Sequence, residues 1–359
     1  GYNMSFLQKL FRPGKPQTSS NPPKAEAEDN IVISVVIPSY NARKTLASTL
    51  ESLQKSQHTN LDVIVVDDGS EDRAEDIVNS FKENRFRYFW KENAGPGLAR
   101  NFGIDHAKGE YIFFLDADDA IYPDSLVHLL KYAREHDLDV VSGVTVRKQI
   151  DTGAEGEWFR DLYKTKKINT FNERLNLYSD TLSTNKLYRT QVLRDKNIYF
   201  DEGLYEDKIF TAKIYSQIDR IGLIDNRVYI WFVYGNQTSI TTSKSVDNYK
   251  ERMVAIRKLW PYLPALRKVY QVIFYINHDL LIYLREFIFY SEEEKHDIYQ
   301  SAADFIGENK NLVYKKLVTT SLNRACLDAL CDRDEAKFLY TANILSQTFQ
   351  DEQLAKQKA

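Results

Sequence analysis

The sequence predicts an α/β protein, a mostly parallel sheet flanked by helices, followed by a C-terminal helical domain. Three observations predict it. Between residues 31 and 146, short apolar runs of strand length alternate with segments of helical periodicity. Polar clusters follow the ends of those runs, where ligands of open parallel sheets bind. From about residue 250 onward the pattern is helical and rich in aromatic residues.

Ile31–Ile37 is a nearly continuous β-branched run, as expected of a strand buried on both faces. Asn41 is placed to cap a helix whose Leu46, Leu50 and Leu53 share one face. Leu61–Val66 is a second buried strand, followed by a polar helix over 71–83 carrying Ile77, Val78 and Phe81. Phe86–Trp90 is a third strand, 96–107 a helix and Glu110–Leu115 a fourth strand. Pro123 suits the first turn of a helix that turns Leu126, Leu129, Leu130 and Ala133 inward, and Leu138–Val146 is a fifth strand. This βαβαβ order favours right-handed crossovers and a parallel sheet. Beyond it, 206–218 reads as a helix, with strands over 220–225 and 228–234. The chain thus divides into a segment 1–30, rich after residue 13 in Pro, Ser, Asn and charge and read as flexible, an α/β domain over 31–248, and a helical domain over 249–359.

With 359 residues, 43% of them hydrophobic and 28% charged, the chain has ample material for a core. Its formal net charge of −3 gives no global basic field, which argues against a nucleic-acid partner. Cys326 and Cys331 match neither a CxxC redox motif nor a paired zinc-ligand spacing, and two reduced thiols suit a cytoplasmic protein. No apolar run reaches the roughly 18 residues of a membrane span, and the start lacks the apolar core of a secretory signal. Phe6, Leu7, Leu10 and Phe11, set among Lys9 and Arg12, read either as a frayed terminus or as an amphipathic foot on an anionic membrane, the inner face of the membrane being the site of contact.

Asp116, Asp118 and Asp119 carry the clearest chemistry. Three carboxylates within four residues repel one another, and hard oxygen ligands suit Mg²⁺ or Mn²⁺, which also bridge phosphates. The competing reading is a solvated acidic turn. Asp67 and Asp68 end another buried strand, either as acceptors for a base N–H or ribose hydroxyl, or as a turn in which Gly69 supplies positive φ and Ser70 the next cap. The loop from Asn93 to Gly97, with Arg100 and Asn101 after it, matches neither GxxxxGK[ST] nor GxGxxG.

Four motifs in order resemble the family 2 glycosyltransferases with the GT-A fold: Val36-Ile37-Pro38-Ser39-Tyr40-Asn41, Val66-Asp67-Asp68-Gly69-Ser70, the run from Asn93 to Asn101, and Phe114-Leu115-Asp116-Ala117-Asp118-Asp119. The resemblance covers about residues 31–225 and implies a Rossmann-like GT-A domain. It implies that Pro38, Tyr40 and Asp68, with Asp67, line a nucleotide, that Arg100 sits near the diphosphate or sugar, that Asp116 meets ribose or sugar, and that Asp118 binds Mn²⁺ or Mg²⁺. Leu204-Tyr205-Glu206-Asp207-Lys208 resembles the family's later acidic motif, which implies Asp207 as general base with Glu206 beside it. The alternative for that pair is a helix N-terminus favouring acidic side chains. Asn185 to Arg189 resembles the segment before this motif in bacterial members, including wall-teichoic-acid glycosyltransferases. It places Lys186 on the acceptor side, an ordinary loop being the alternative; Glu206 goes to the same side beside Asp207, and Asp119 either supports the turn or joins the acceptor side. Gly235–Ser243 reads likewise as a loop or as a cover for the diphosphate.

The resemblance implies inverting transfer of one sugar from a nucleotide sugar, a UDP-sugar above all, to a hydroxyl of a cell-surface glycan, teichoic acid or glycoprotein. Processive synthases of the family carry Gln-x-x-Arg-Trp, and here no tryptophan follows an arginine, which favours single transfers. The rival functions are a nucleotidyltransferase, which ordinarily carries a glycine-rich basic loop where Ser39-Tyr40-Asn41-Ala42-Arg43 stands, and a non-catalytic scaffold. Lys258, Arg267, Lys268 and Arg285 lie among tyrosines in the C-terminal helices. They read as snorkelling residues of a packed bundle, as a homo-oligomer surface, or as an acceptor or membrane platform.

Overall fold

The computed structural model describes residues 27–170, 176–235 and 244–358. The amphipathic foot, most of the N-terminal linker and residues 236–243 lie outside the described residues.

The expected alternation is present: β1 (Ile33–Ser39), α1 (Leu46–Gln54), β2 (Leu61–Asp68), α2 (Glu75–Ser80), β3 (Phe86–Lys91), α3 (Pro96–His106), β4 (Tyr111–Phe114), α4 (Ser125–His136) and β5 (Val140–Gln149). The short β6 (Glu155–Glu157), β7 (Lys167–Asn169) and β8 (Lys186–Arg189) follow, then α5 (Thr190–Asp195), α6 (Glu206–Gln217) and β9 (Ile221–Val233). The strands form one sheet in the order β3-β2-β1-β4-β8-β5-β9-β7, with β6 on β5. Pairings β1–β2, β1–β4, β2–β3 and β5–β9 are parallel, while β8 runs antiparallel between β4 and β5. All eight residues of β2 are buried, as a strand covered on both faces requires.

The pleat divides the core in two. Val35, Val63 and Val65 face α1 and α4, where Leu46, Leu50, Leu126 and Leu129 pack. Val36, Ile64 and Val66 face the other way, toward Ala99, Ile104, Phe200 and Phe210. α3 lies so close to β1 that a Cβ on Gly103 would stand 2.2 Å from a methyl of Val36. A third cluster holds the C-terminal helices α7 (Val246–Leu259), α8 (Ala265–Phe274), α9 (Leu281–Leu284), α10 (Glu292–Glu308), α11 (Ser321–Cys331) and α12 (Glu335–Lys358) around Tyr275, Tyr283, Phe287 and Phe338.

Several local expectations change. Asn41 does not cap α1. It adopts φ 50°, and its N–H donates to Ser70 Oγ, tying the end of β1 to the end of β2. Ser70 is used in that tie, and Ala74 precedes α2. The two strands expected over 220–234 are one strand, β9. Exposed Asp225 and Arg227 interrupt the apolar run, but the backbone stays on β5 through register shifts between Ser142 and Thr145. Asn185–Arg189 is not a loop, because it supplies β8. The aromatic stretch over 269–290 is broken by a π-helical turn at Tyr275–Asp279. No helix among the described residues is long and apolar enough to cross a membrane.

Gly103→Ala should lower stability by about 1–3 kcal/mol in urea denaturation, because β1 cannot yield at Val36. Adding Val36→Ala should recover part of that loss, and an equal or greater loss in the double variant would remove the steric explanation.

Candidate active site

The carboxyl ends of β1, β2 and β4 bring the polar clusters together. Asp68, at the end of β2, is 3% exposed, and its carboxylate is held by the backbone N–H groups of Ala94 and Gly95, each at 2.9 Å, and by Lys91 Nζ at 3.1 Å. It therefore fixes the loop that leads into α3. Asp67 is fully buried, accepts from the N–H of Ser70 at 3.0 Å and from the Tyr88 hydroxyl, and braces the turn from within. Gly69 takes the expected positive φ, 80°, and lies so close to Asn93 that a Cβ would meet its backbone nitrogen at 2.6 Å. Pro38 is half-buried, and Tyr40 next to it is 57% exposed, an accessible ring at the tip of β1.

Arg100 of α3 crosses the cleft. It is 4% exposed; one terminal nitrogen lies 3.0 Å from Asp116 Oδ1, and the other lies 3.1 Å from Asp207 Oδ1 and 3.4 Å from Glu206 Oε1. Its plane lies 5.2 Å from the Phe200 ring centre. Burial alone would weaken the guanidinium's hold on its proton, but Asp207, Asp116 and Glu206 outweigh burial and hold its pKa above the usual range. Among the predicted residues, Arg100, Asp116, Glu206 and Asp207 are thus in direct contact.

The turn after β4 is fixed by two residues that the motifs do not include. The hydroxyl of buried Tyr229, on β9, accepts from the Asp116 N–H at 3.1 Å and donates to Asp119 Oδ2 at 2.6 Å. Thr49 of α1 donates to the carbonyls of Ala117 and Asp119 at 2.9 and 2.7 Å. Paired backbone bonds between Ala120 and Ile230 latch the turn to β9. Thr49 left a legible trace as a polar residue inside the apolar stripe Leu46, Leu50, Leu53. Tyr229 left none, since a tyrosine in a strand is ordinary.

Asp119 is buried, and burial, then Asp116 and Asp118, push its carboxyl up to about 9. Burial and Asp116 also raise Asp118, against a hydrogen bond from its own backbone N–H, and no other side chain among the described residues pairs with its carboxylate. Asp116, Asp119, Asp207, Thr184 and Tyr229 line a cavity of about 230 Å³.

Glu206 and Asp207 occupy the first turn of α6, after Tyr205 in the left-handed conformation at φ 61°. Burial, then Asp207, raises the Glu206 carboxyl against the pull of Arg100. Asp207 Oδ1 also accepts from Ser183 Oγ at 2.9 Å, while its Oδ2 has no hydrogen-bond partner among the described residues. Lys186, expected on the acceptor side, is enclosed rather than presented to solvent. It is 1% exposed, and its ammonium is held by Asp180 at 3.2 Å, by Asn185 Oδ1 at 2.9 Å and by the Leu182 carbonyl. From there it braces the segment carrying Ser183, and burial lowers its pKa against the pull of Asp180. No group of three or more His, Cys, Asp or Glu side chains among the described residues could hold a metal ion unaided.

The family model for glycosyl transferase family 2 matches residues 34–195, the segment that supplies β1 to β8. Glycosyltransferase GlyG of Streptococcus pneumoniae is 30% identical over 213 residues, which cover 56% of this chain and 70% of GlyG. The chain belongs to glycosyltransferase family 2. This membership sets aside the nucleotidyltransferase alternative. Poly(ribitol-phosphate) beta-N-acetylglucosaminyltransferase TarS of Staphylococcus aureus is 32% identical over 205 residues, 55% of this chain and 35% of TarS, so the chain spans about a third of that relative's length. The crystal structure of S. aureus TarS 1–349 in complex with UDP-GlcNAc superposes with a TM-score of 0.65 at 25% identity, covering 90% of this chain and 92% of that one. The likeness therefore extends over the C-terminal helices, and the fold is that of the GT-A glycosyltransferases.

Tyr229→Phe should lower stability by about 1–3 kcal/mol, because the Asp116 N–H and the Asp119 carboxyl both lose a buried partner. Melting curves of the two proteins at one pH measure this. An unchanged melting temperature would show that the turn holds without the hydroxyl.

Proposed function

We propose that the protein is an inverting, non-processive glycosyltransferase that moves one sugar from a UDP-sugar to a hydroxyl of a cell-surface glycan, teichoic acid or glycoprotein. The observation that carries this reading is Arg100 joining Asp116 to Asp207 across one cleft. The donor half is formed by Pro38, Tyr40, Asp68, Arg100 and Asp116, with buried Asp67 bracing the turn beneath them, and the acceptor half by Asp119, Glu206 and Asp207. A family relative of matching fold binds UDP-GlcNAc, which supports a uridine donor.

The charges support a divalent ion. Asp116, Asp118, Glu206 and Asp207 gather around the cleft with Arg100 as a cation among them, and a diphosphate would add further negative charge. The Asp118 carboxylate, which no other side chain among the described residues engages, fits Mg²⁺ or Mn²⁺, which are ordinarily held by one or two carboxylates together with substrate phosphates. Bound there, the ion supplies neutralisation of the diphosphate leaving group.

The chain's own residues then do the following. Arg100 and Ser183 engage Asp207 Oδ1, so that Oδ2 is the oxygen left to take a proton. The acceptor hydroxyl gives its proton to Oδ2 while its oxygen bonds to the anomeric carbon. The bond from that carbon to the diphosphate oxygen breaks, and the nucleoside diphosphate leaves with the electron pair. Displacement from the face opposite the leaving group inverts the anomeric centre. Thr49 and Tyr229 keep Asp116 to Asp119 in place throughout. A cytoplasmic location accompanies this reading because nucleotide sugars are the donors.

A panel of nucleotide sugars with Mn²⁺, read by release of the nucleoside diphosphate, tests the donor, and EDTA should abolish turnover. Asp207→Asn should lower kcat by about 10²–10⁴-fold while UDP binding changes little. Turnover near the original rate in that variant would remove Asp207 as the base.

A further inference from the structure

A second and larger cavity, of about 730 Å³, lies between α6 and the C-terminal helices α7 and α8. Leu182 and Trp231 line both it and the 230 Å³ cavity that contains Asp207, so the two spaces adjoin. Consecutive residues at the start of α6 face different spaces, with Asp207 lining the smaller and Lys208 the larger. The larger cavity therefore approaches the proposed base from the side away from Asp68 and the nucleotide loops.

Its charges do not balance internally. Lys208, Arg252 and Arg267 line it together with the carboxylate of Asp279. Asp279 is paired with Arg252 at 3.0 Å. Neither Lys208 nor Arg267 has a carboxylate within ion-pair distance among the described residues. Lys208 is exposed to the cavity's solvent, with its ammonium 5.2 Å from the Tyr205 ring centre. Arg267 is half-buried over Tyr270, 4.2 Å from its ring centre, and donates to the Tyr178 carbonyl at 3.3 Å. Burial lowers the pKa of both side chains. A half-buried cation such as Arg267 costs stability unless something negative joins it, and the solvent-facing ammonium of Lys208 lines the same cavity, free to meet the same anion. Trp158 and Trp231, tilted at 5.0 Å between ring centres, add flat apolar surface beside them, suited to the C–H face of a sugar or polyol.

We propose that this cavity is the acceptor site and that Lys208 and Arg267 bind an anionic group, a phosphodiester or a carboxylate, of a polyol- or sugar-containing acceptor whose hydroxyl reaches Asp207. The proposal rests on Asp207 as the base. It narrows the acceptor to chains that carry negative charge near the accepting hydroxyl, and it gives the C-terminal helices a direct part in choosing the acceptor. An ordinary packed bundle would pair a half-buried cation such as Arg267 with a carboxylate, as it does Arg252 with Asp279. The Arg267 guanidinium suits either a phosphate or a carboxylate.

The test is calorimetric titration of the full chain, saturated with UDP and Mn²⁺ so that the donor site is filled. The probes are a glycerol-phosphate oligomer, a uronic acid oligosaccharide and a neutral oligosaccharide of similar length. At least one anionic probe should bind more tightly than the neutral one, with affinity falling as salt rises, and the tighter of the two identifies the anion. The Lys208→Gln/Arg267→Gln double variant should lose about tenfold or more of that affinity. Lys131→Gln, the same charge change on the far surface of α4, should lose none. If the double variant does not fold, the Lys208→Arg/Arg267→Lys pair should retain most of the anionic affinity. Equal binding of anionic and neutral probes would overturn the proposal, as would full anionic affinity in the glutamine variant or its loss in the charge-retaining pair. UDP titrated alone reports on the donor reading separately. If UDP fails to bind, that reading fails, and the probes titrated without UDP still decide the cavity.

Discussion

The site depends on one buried guanidinium. Arg100 grows from α3, whose start is set by the loop that Asp68 holds, and it reaches carboxylates from two distant parts of the chain. Removing a single partner from such a buried cluster leaves an uncompensated charge, typically a loss of about 3–5 kcal/mol. The same contact that orients Asp207 therefore also fixes the distance between the turn after β4 and the start of α6. Chemistry and cleft geometry cannot be altered independently here.

Around that clamp the protein uses neutral hydrogen bonds where it could have used charge. Tyr229 and Thr49 hold the acidic turn through hydroxyls, and no side chain among the described residues pairs with the Asp118 carboxylate. A lysine in either place would have paired with the carboxylates of the turn. Lys186 shows the complementary choice: a cation placed close to the cleft but fully enclosed, with its charge matched by Asp180 and its donors used on its own segment. It stiffens the Ser183 region, and its charge is felt by Asp207 without being presented to solvent in the cleft.

Much of this was legible in the amino-acid sequence because parallel sheets bury both faces of each strand and leave polar residues only at the ends. β1, β2, β4 and their clusters from Pro38 to Asp119 announce themselves in that way. Less legible were β8, which is four residues long and is recruited from a segment with no strand-length apolar run, and β9, where exposed Asp225 and Arg227 mask a continuous ladder. Arg100, Asp116 and Asp207 were each marked by a motif, but their contact joins positions about a hundred residues apart, which no local pattern reveals. The same limit hid the role of Tyr229, and it hid the enclosure of Lys186, whose charge suggested a surface.

The antiparallel insertion of β8 has a consequence for how the chain is made. β4 keeps an unpaired edge facing β8 until residues 186–189 emerge from the ribosome, and β5 cannot join the growing sheet before then. For about seventy residues of synthesis, the apolar strand Tyr111–Phe114 is an open template for another chain. The nascent protein is thus most exposed to misassociation midway through translation, and a polypeptide released in that interval would carry the acidic motif on a sheet with no closing partner.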